Sequence, residues 1–135
     1  MSTATARYAG NLRTEATHVA SGTTILTDAP VDNHGRGEAF SPTDLVAASL
    51  GSCMMTIMGI VAARHSIDLT GVSWDVTKHM LAEPRRIGQI DVTFRLPASL
   101  TEKDQTILEN AARTCPVALS LNPEIRQEVR FLYSA

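Results

Sequence analysis

Ser41-Pro42-Thr43-Asp44-Leu45-Val46-Ala47-Ala48-Ser49-Leu50-Gly51-Ser52-Cys53 is the stretch whose reading decides the fold. Its first four residues form a helix start. Ser41 can cap the first turn, Pro42 suits the first helical position because no partner is needed there for an N–H, and Asp44 can reach back to the Ser41 amide. The pattern predicts a helix from about Pro42 to about Arg64. From Leu45 to Ala63 it carries no charge, a run about long enough to cross a bilayer. Ser49, Gly51, Ser52, Thr56 and Gly59 hold its hydrophobicity below that of a Leu/Ile-rich span, and the rest of the chain reads as amphipathic elements that need a core. The expectation is a core helix and no membrane partner. Ala47, Ala48, Gly51 and Gly59 would let another backbone come close.

Beyond Gly71 the period changes to two. Val72, Trp74 and Val76 alternate with Ser73, Asp75 and Thr77, and Ile90, Val92, Phe94 and Leu96 alternate with Asp91, Thr93 and Arg95 in a second strand at about Ile87 to Leu96. Glu83 to Arg86 is the expected hairpin tip. Thr101 and Asp104 repeat the capping spacing and open a helix through Thr114, whose Ile107, Leu108, Ala111 and Cys115 share one face, so Cys115 is expected to point inward. Pro116 cannot continue that helix but suits the first turn of a short one over Val117 to Leu121. A last strand follows Pro123, with Ile125, Val129, Phe131 and Tyr133 on the apolar side.

Upstream of the helix start the chain lacks helical period. Short strands are expected at Arg7 to Leu12, Glu15 to Val19 and Thr23 to Thr27, with Ser21-Gly22 turning between the last two. Asp28 to Phe40, containing Pro30, Asn33, Gly35 and Gly37, reads as a long loop. Strands, a long helix, a hairpin, a helix and a closing strand make an α+β fold, expected as a single domain over residues 1–135. A formal net charge of −2 offers no basic field for nucleic acid. The first ten residues carry no basic-then-apolar leader pattern, which sets a cytoplasmic expectation.

Two cysteines in a reducing compartment make a poor permanent staple, so a pair that meets is more often redox-active than architectural. Two unrelated buried thiols are the plain alternative. Cys53, in the middle of an uncharged helix, would be inert through desolvation unless a cation approaches from elsewhere. Arg36, in the loop before the helix, is the nearest such donor in sequence, and a guanidinium can hold both a thiolate and a peroxide oxygen.

The quoted stretch, taken with Cys115-Pro116-Val117 before the final strand, resembles the osmotically inducible protein C and organic hydroperoxide resistance family over roughly Gly22 to Tyr133. The resemblance implies antiparallel sheets wrapped around a long central helix in an intertwined homodimer. It implies cofactor-free, thiol-dependent reduction of organic hydroperoxides and hydrogen peroxide, with Cys53 as the peroxidatic and Cys115 as the resolving cysteine, recycled by an external dithiol. An arginine and a carboxylate would hold the first thiol ready. In much of the family glutamate follows the proline directly; here Thr43 stands there and the acid is Asp44. Asp44 lies nine residues before Cys53, and at about 100° per residue it falls on the opposite helical face, which favours a capping role. Glu38 is the other candidate carboxylate, and Arg13 is second to Arg36.

Met54 and Met58 are candidate substrate-binding residues, against a simpler reading as core. A non-catalytic binding module for a small apolar ligand, with redox-inert cysteines, is the competing function. His18, His34, His65 and His79 are scattered and neither cysteine sits in a C-x-x-C pair, so no metal is expected. Gly35-Arg36-Gly37 is no phosphate loop, and the G-x-S-x-G elbow of a serine hydrolase is absent.

Overall fold

The structure, a computed structural model, describes residues 1–134. The chain divides into two compact units, Met1–Val46 and Ala47–Ala135.

The first unit is a three-stranded antiparallel meander in the order β1-β2-β3, with β1 at Ala4–Gly10, β2 at Arg13–His18 and β3 at Thr24–Asp28. The hairpin between β1 and β2 turns on Asn11 and Leu12, both at positive φ, as a tight two-residue loop that matches strand twist requires. Leu12 is a poor residue for that conformation, and its apolar character is what draws a sequence reading of β1 onward to Leu12. Gly22, at φ 76°, closes the next turn as expected. The loop after β3 is ordered by its own backbone: the Gly35 and Gly37 amides donate to Pro30 and Ala29 carbonyls. A Cβ on Gly35 would lie 1.7 Å from the Ala29 carbonyl oxygen, so only glycine fits where the loop folds back.

Helix α1, Pro42–Arg64, begins as its sequence dictates. Ser41 Oγ accepts from the Asp44 amide at 3.0 Å, and Asp44 Oδ2 accepts from the Ser41 amide at 2.9 Å, a reciprocal capping box. By length and composition α1 is long and apolar enough to cross a membrane. One face of it, however, is core: Ala47, Leu50, Gly51, Met54, Met58 and Ala62 are buried.

The second unit adds β4 (Ser73–Leu81), β5 (Arg86–Leu96), α2 (Glu102–Arg113), α3 (Pro116–Ser120) and β6 (Arg126–Tyr133), with strand order β4-β5-β6. β4 and β5 form an antiparallel hairpin with a register shift at His79/Met80, and β4 runs further than its clean alternation, to Leu81. β5 and β6 are parallel. The expectation of purely antiparallel sheets is therefore corrected. The cause is the connection: the chain between Leu96 and Arg126 carries α2 and α3, and a helical crossover returns a strand in the same direction.

β5 is the spine of the core. Ile90, Val92, Phe94 and Leu96 have no accessible surface, and each such burial contributes about 1.5–3 kcal/mol. Phe94 lies between Trp74 on β4 and Phe131 on β6, with ring centroids 6.0 and 5.6 Å away. Gly51 of α1 makes room for this layer, since a Cβ there would meet Trp74 Nε1 at 2.7 Å and Val76 Cγ1 at 2.8 Å. α2, capped by Thr101 Oγ1 accepting from the Asp104 amide at 3.1 Å, brings Leu108 and Ala112 into the core. The Tyr133 hydroxyl donates to Glu109 Oε2 at 2.5 Å and Arg113 stacks over Phe131, tying α2 to β6.

Candidate functional site

The two cysteines come near each other in the second unit. Cys53 is half-buried on α1, at the border between the buried face and an exposed stripe of Ser49, Ser52, Thr56, Ile60 and Ala63. Cys115 is fully buried, and the Cys53 thiol lies near enough to it to influence its titration. Both thiols are free.

Local sequence explains the placement of Cys115. The residue before a proline is pushed out of the helical region, and Cys115 adopts φ −68°, ψ 153°. It therefore does not continue α2 but stands as the N-cap of α3, where its Sγ accepts from the Ala118 amide at 3.4 Å. The inward direction agrees with the helical-face reading; the cap geometry was not legible in it. Burial pushes the Cys115 thiol pKa up, the Ala118 amide draws it part of the way back, and the neighbouring Cys53 thiol adds to the rise.

Met54 and Met58 are wholly buried on the packed face of α1. With no accessible surface they read as core side chains of the single chain, the simpler of the two expectations. A groove of 310 Å³ is lined by Met55, Gly59, Ala62, Ala63 and the Ile67–Thr70 segment, on the other flank of α1 from Cys53.

In the first unit the charged candidates gather around Asp28, which the sequence reading places at the start of the loop and not among the site residues. Its side chain is fully buried, and Arg13 grips it bidentately, Nε to Oδ1 at 2.7 Å and a terminal nitrogen to Oδ2 at 2.8 Å. The Glu38 amide donates to Oδ2 at 3.1 Å. Hydrogen bonding from Arg13 holds the Asp28 carboxyl below the ordinary aspartate value against the opposing effect of burial, with the Arg36 charge adding to it. The same pairing raises the Arg13 pKa. Arg36 is exposed and borders a 460 Å³ cleft with Asn11, Leu12, His34 and Gly35; Glu38 is exposed as well. The signal for Asp28 is the hairpin register, which sets it directly opposite Arg13. Asp44 sits in the α1 capping box. Among the described residues, no three His, Cys, Asp or Glu side chains come together in a way that would hold a metal ion.

Residues 35–130 match the family model described as OsmC-like protein. The chain belongs to the OsmC-like family. A crystal structure from Psychrobacter arcticus 273-4, provisionally named an osmotic stress induced and detoxification response protein, is 50% identical, with a TM-score of 0.94 over 97% of this chain and 96% of that one. An organic hydroperoxide resistance protein OsmC from Legionella pneumophila has 18% identity and a TM-score of 0.76 over 98% of each chain. One from Elizabethkingia anophelis, named an organic hydroperoxide resistance protein, has 14% identity and a TM-score of 0.76 over 99% of this chain and 98% of that one. These distant matches show the fold: a mixed α+β arrangement with two small sheets and helices, shared across OsmC-like proteins. No curated protein matches the sequence.

Proposed function

We propose that this OsmC-like protein is a thiol-dependent peroxidase that reduces organic hydroperoxides and hydrogen peroxide. The nearness of Cys53 to Cys115, residues distant in sequence, carries the reading. The Cys53 thiolate attacks one peroxide oxygen; the O–O bond breaks, an alcohol or water leaves after protonation, and Cys53 becomes a sulfenic acid. Cys115 then displaces the hydroxyl, forming the Cys53–Cys115 disulfide and water. An external dithiol, oxidised in turn, restores both thiols by exchange. The names of the structural relatives, organic hydroperoxide resistance proteins among them, support this chemistry.

Arg36 is the proposed stabiliser of thiolate and peroxide, with Arg13 as the second candidate and Glu38 or Asp44 as the carboxylate. The Asp28 network supports an ordered role for this charged group, since it fixes the Glu38 amide and the Arg13 guanidinium together. The working form is a cytoplasmic homodimer; the exposed, uncharged stripe of α1 supports a second copy as its cover. Hydroperoxide consumption in the presence of a dithiol tests the function. Wild type should turn over, Cys53→Ser should fall to the uncatalysed background, and Cys115→Ser should undergo one oxidation without recycling through an internal disulfide. Thiols that stay reduced under peroxide would turn the reading toward a non-catalytic binding module.

A further inference from the structure

The packed face of β6 carries Val129, Phe131 and Tyr133, opposite the fully buried Val92, Phe94 and Leu96 of β5, and one side-chain amide, Gln127, opposite the fully buried Ile90. A polar group on such a face is costly unless it is hydrogen-bonded. Gln127 Nε2 donates to the Ala118 carbonyl at 3.0 Å, in the middle of α3. The backbone amide of the same Ala118 donates to Cys115 Sγ at 3.4 Å. We propose that Gln127 is a positioning residue for Cys115: it anchors Ala118 to the sheet and so keeps the Ala118 N–H on the sulfur. This deepens the peroxidase reading and rests on it in taking Cys115 as the resolving cysteine.

α3 cannot hold this geometry by itself. Its five residues make little more than one turn, far below the roughly 12–15 at which an isolated helix becomes even marginal. A thiol sulfur is also a weak acceptor for a cap. The carbonyls of so short a helix need partners. Those of Cys115 and Val117 accept from the Leu119 and Leu121 amides, and that of Pro116 accepts from Ser120 Oγ at 2.7 Å. These bonds stay within the turn, whereas the Gln127 bond ties it to β6 at the one residue whose N–H meets the sulfur. In resolution the Cys115 S–H breaks as the S–S bond forms, and its proton leaves with the Cys53 sulfenic hydroxyl as water. Negative charge gathers on the Cys115 sulfur as the proton departs, and an N–H held there stabilises it against the cost of burial. Cys53 on α1 is the titratable neighbour that acts on this sulfur. α1 has no charged side chain between Asp44 and Arg64, and Glu109 and Arg113 of α2 engage Tyr133 and Phe131.

Modification of Cys115 by methyl methanethiosulfonate, followed by intact mass across pH in the Cys53→Ser protein without peroxide, tests this. Gln127→Met, which keeps the length and removes the donor, should move the pH midpoint of modification upward and slow the reaction below that midpoint about fivefold. Ser120→Ala, which loosens the same turn without touching Ala118, should leave the midpoint in place. A midpoint unmoved by Gln127→Met, or moved equally by Ser120→Ala, would overturn the proposal. The Cys53→Ser protein with Gln127 intact gives an independent readout by NMR. As Cys115 ionises, the Ala118 backbone amide and the Gln127 side-chain amide should shift with one midpoint; a Gln127 resonance that does not follow overturns the proposal. With both cysteines present, Gln127→Met should oxidise Cys53 at the wild-type rate in a single turnover with an organic hydroperoxide and form the disulfide about fivefold more slowly. Equal slowing of both steps would count against positioning of Cys115. Failure of wild type to form that disulfide would instead remove the peroxidase reading, with both peroxide-free readouts still deciding the role of Gln127.

Discussion

A thiol in the uncharged middle of a helix depends on side chains brought to it by the rest of the chain. Cys53 and Cys115 stand out in the sequence as candidates because cysteine is scarce here and each stands in a recognisable sequence setting. Asp28 does not, because its importance comes from the β2–β3 register, which places it opposite Arg13, and register is not a local property. The Asp28 carboxyl is held below its unfolded value, so its contribution to stability is fully present above that value and is lost as pH falls through the folded one. Asp28→Asn should therefore be less stable than wild type at neutral pH, with the difference closing in acid; denaturant midpoints measured across pH check this. Arg36→Ala should slow the first oxidation of Cys53 by on the order of 100-fold, read by stopped-flow under single-turnover conditions. An unchanged rate would remove Arg36 from the reaction and leave Arg13 to be tested next.

Among the elements, α1 and β5 follow from local pattern. The capping box at Ser41 and Asp44 and the alternation from Ile90 to Leu96 appear in the structure where the sequence sets them, because local chemistry and tertiary burial ask for the same conformation. The turn at Asn11 and Leu12, the extension of β4 to Leu81 and the parallel pairing of β6 do not, since each is decided by a partner strand or a distant crossover. Packing gives the element-scale predictions. Gly51→Ala would press a methyl group against Trp74 and Val76 and should cost about 1–3 kcal/mol. Ser41→Ala, which removes one half of the α1 cap, should cost about 1 kcal/mol. Urea unfolding of each variant measures both, and a neutral Gly51→Ala would show that the α1–β4 contact is looser than described.

For the whole molecule, exposed apolar side chains support the proposed homodimer. Tyr8, Ile25 and Leu26 on the first sheet and Ile60 on α1 are all exposed in the single chain. Sedimentation should give twice the 14.5 kDa chain mass, and Ile60→Glu should shift the protein toward monomer. A wild-type monomer at micromolar concentration would count against the homodimer. The central claim, that Cys53 and Cys115 form a peroxide-driven redox pair, is tested most directly by intact mass after treatment with one equivalent of an organic hydroperoxide. Wild type should lose two hydrogens as the internal disulfide forms, and Cys115→Ser should gain a single oxygen on Cys53; masses unchanged in both proteins would contradict the claim.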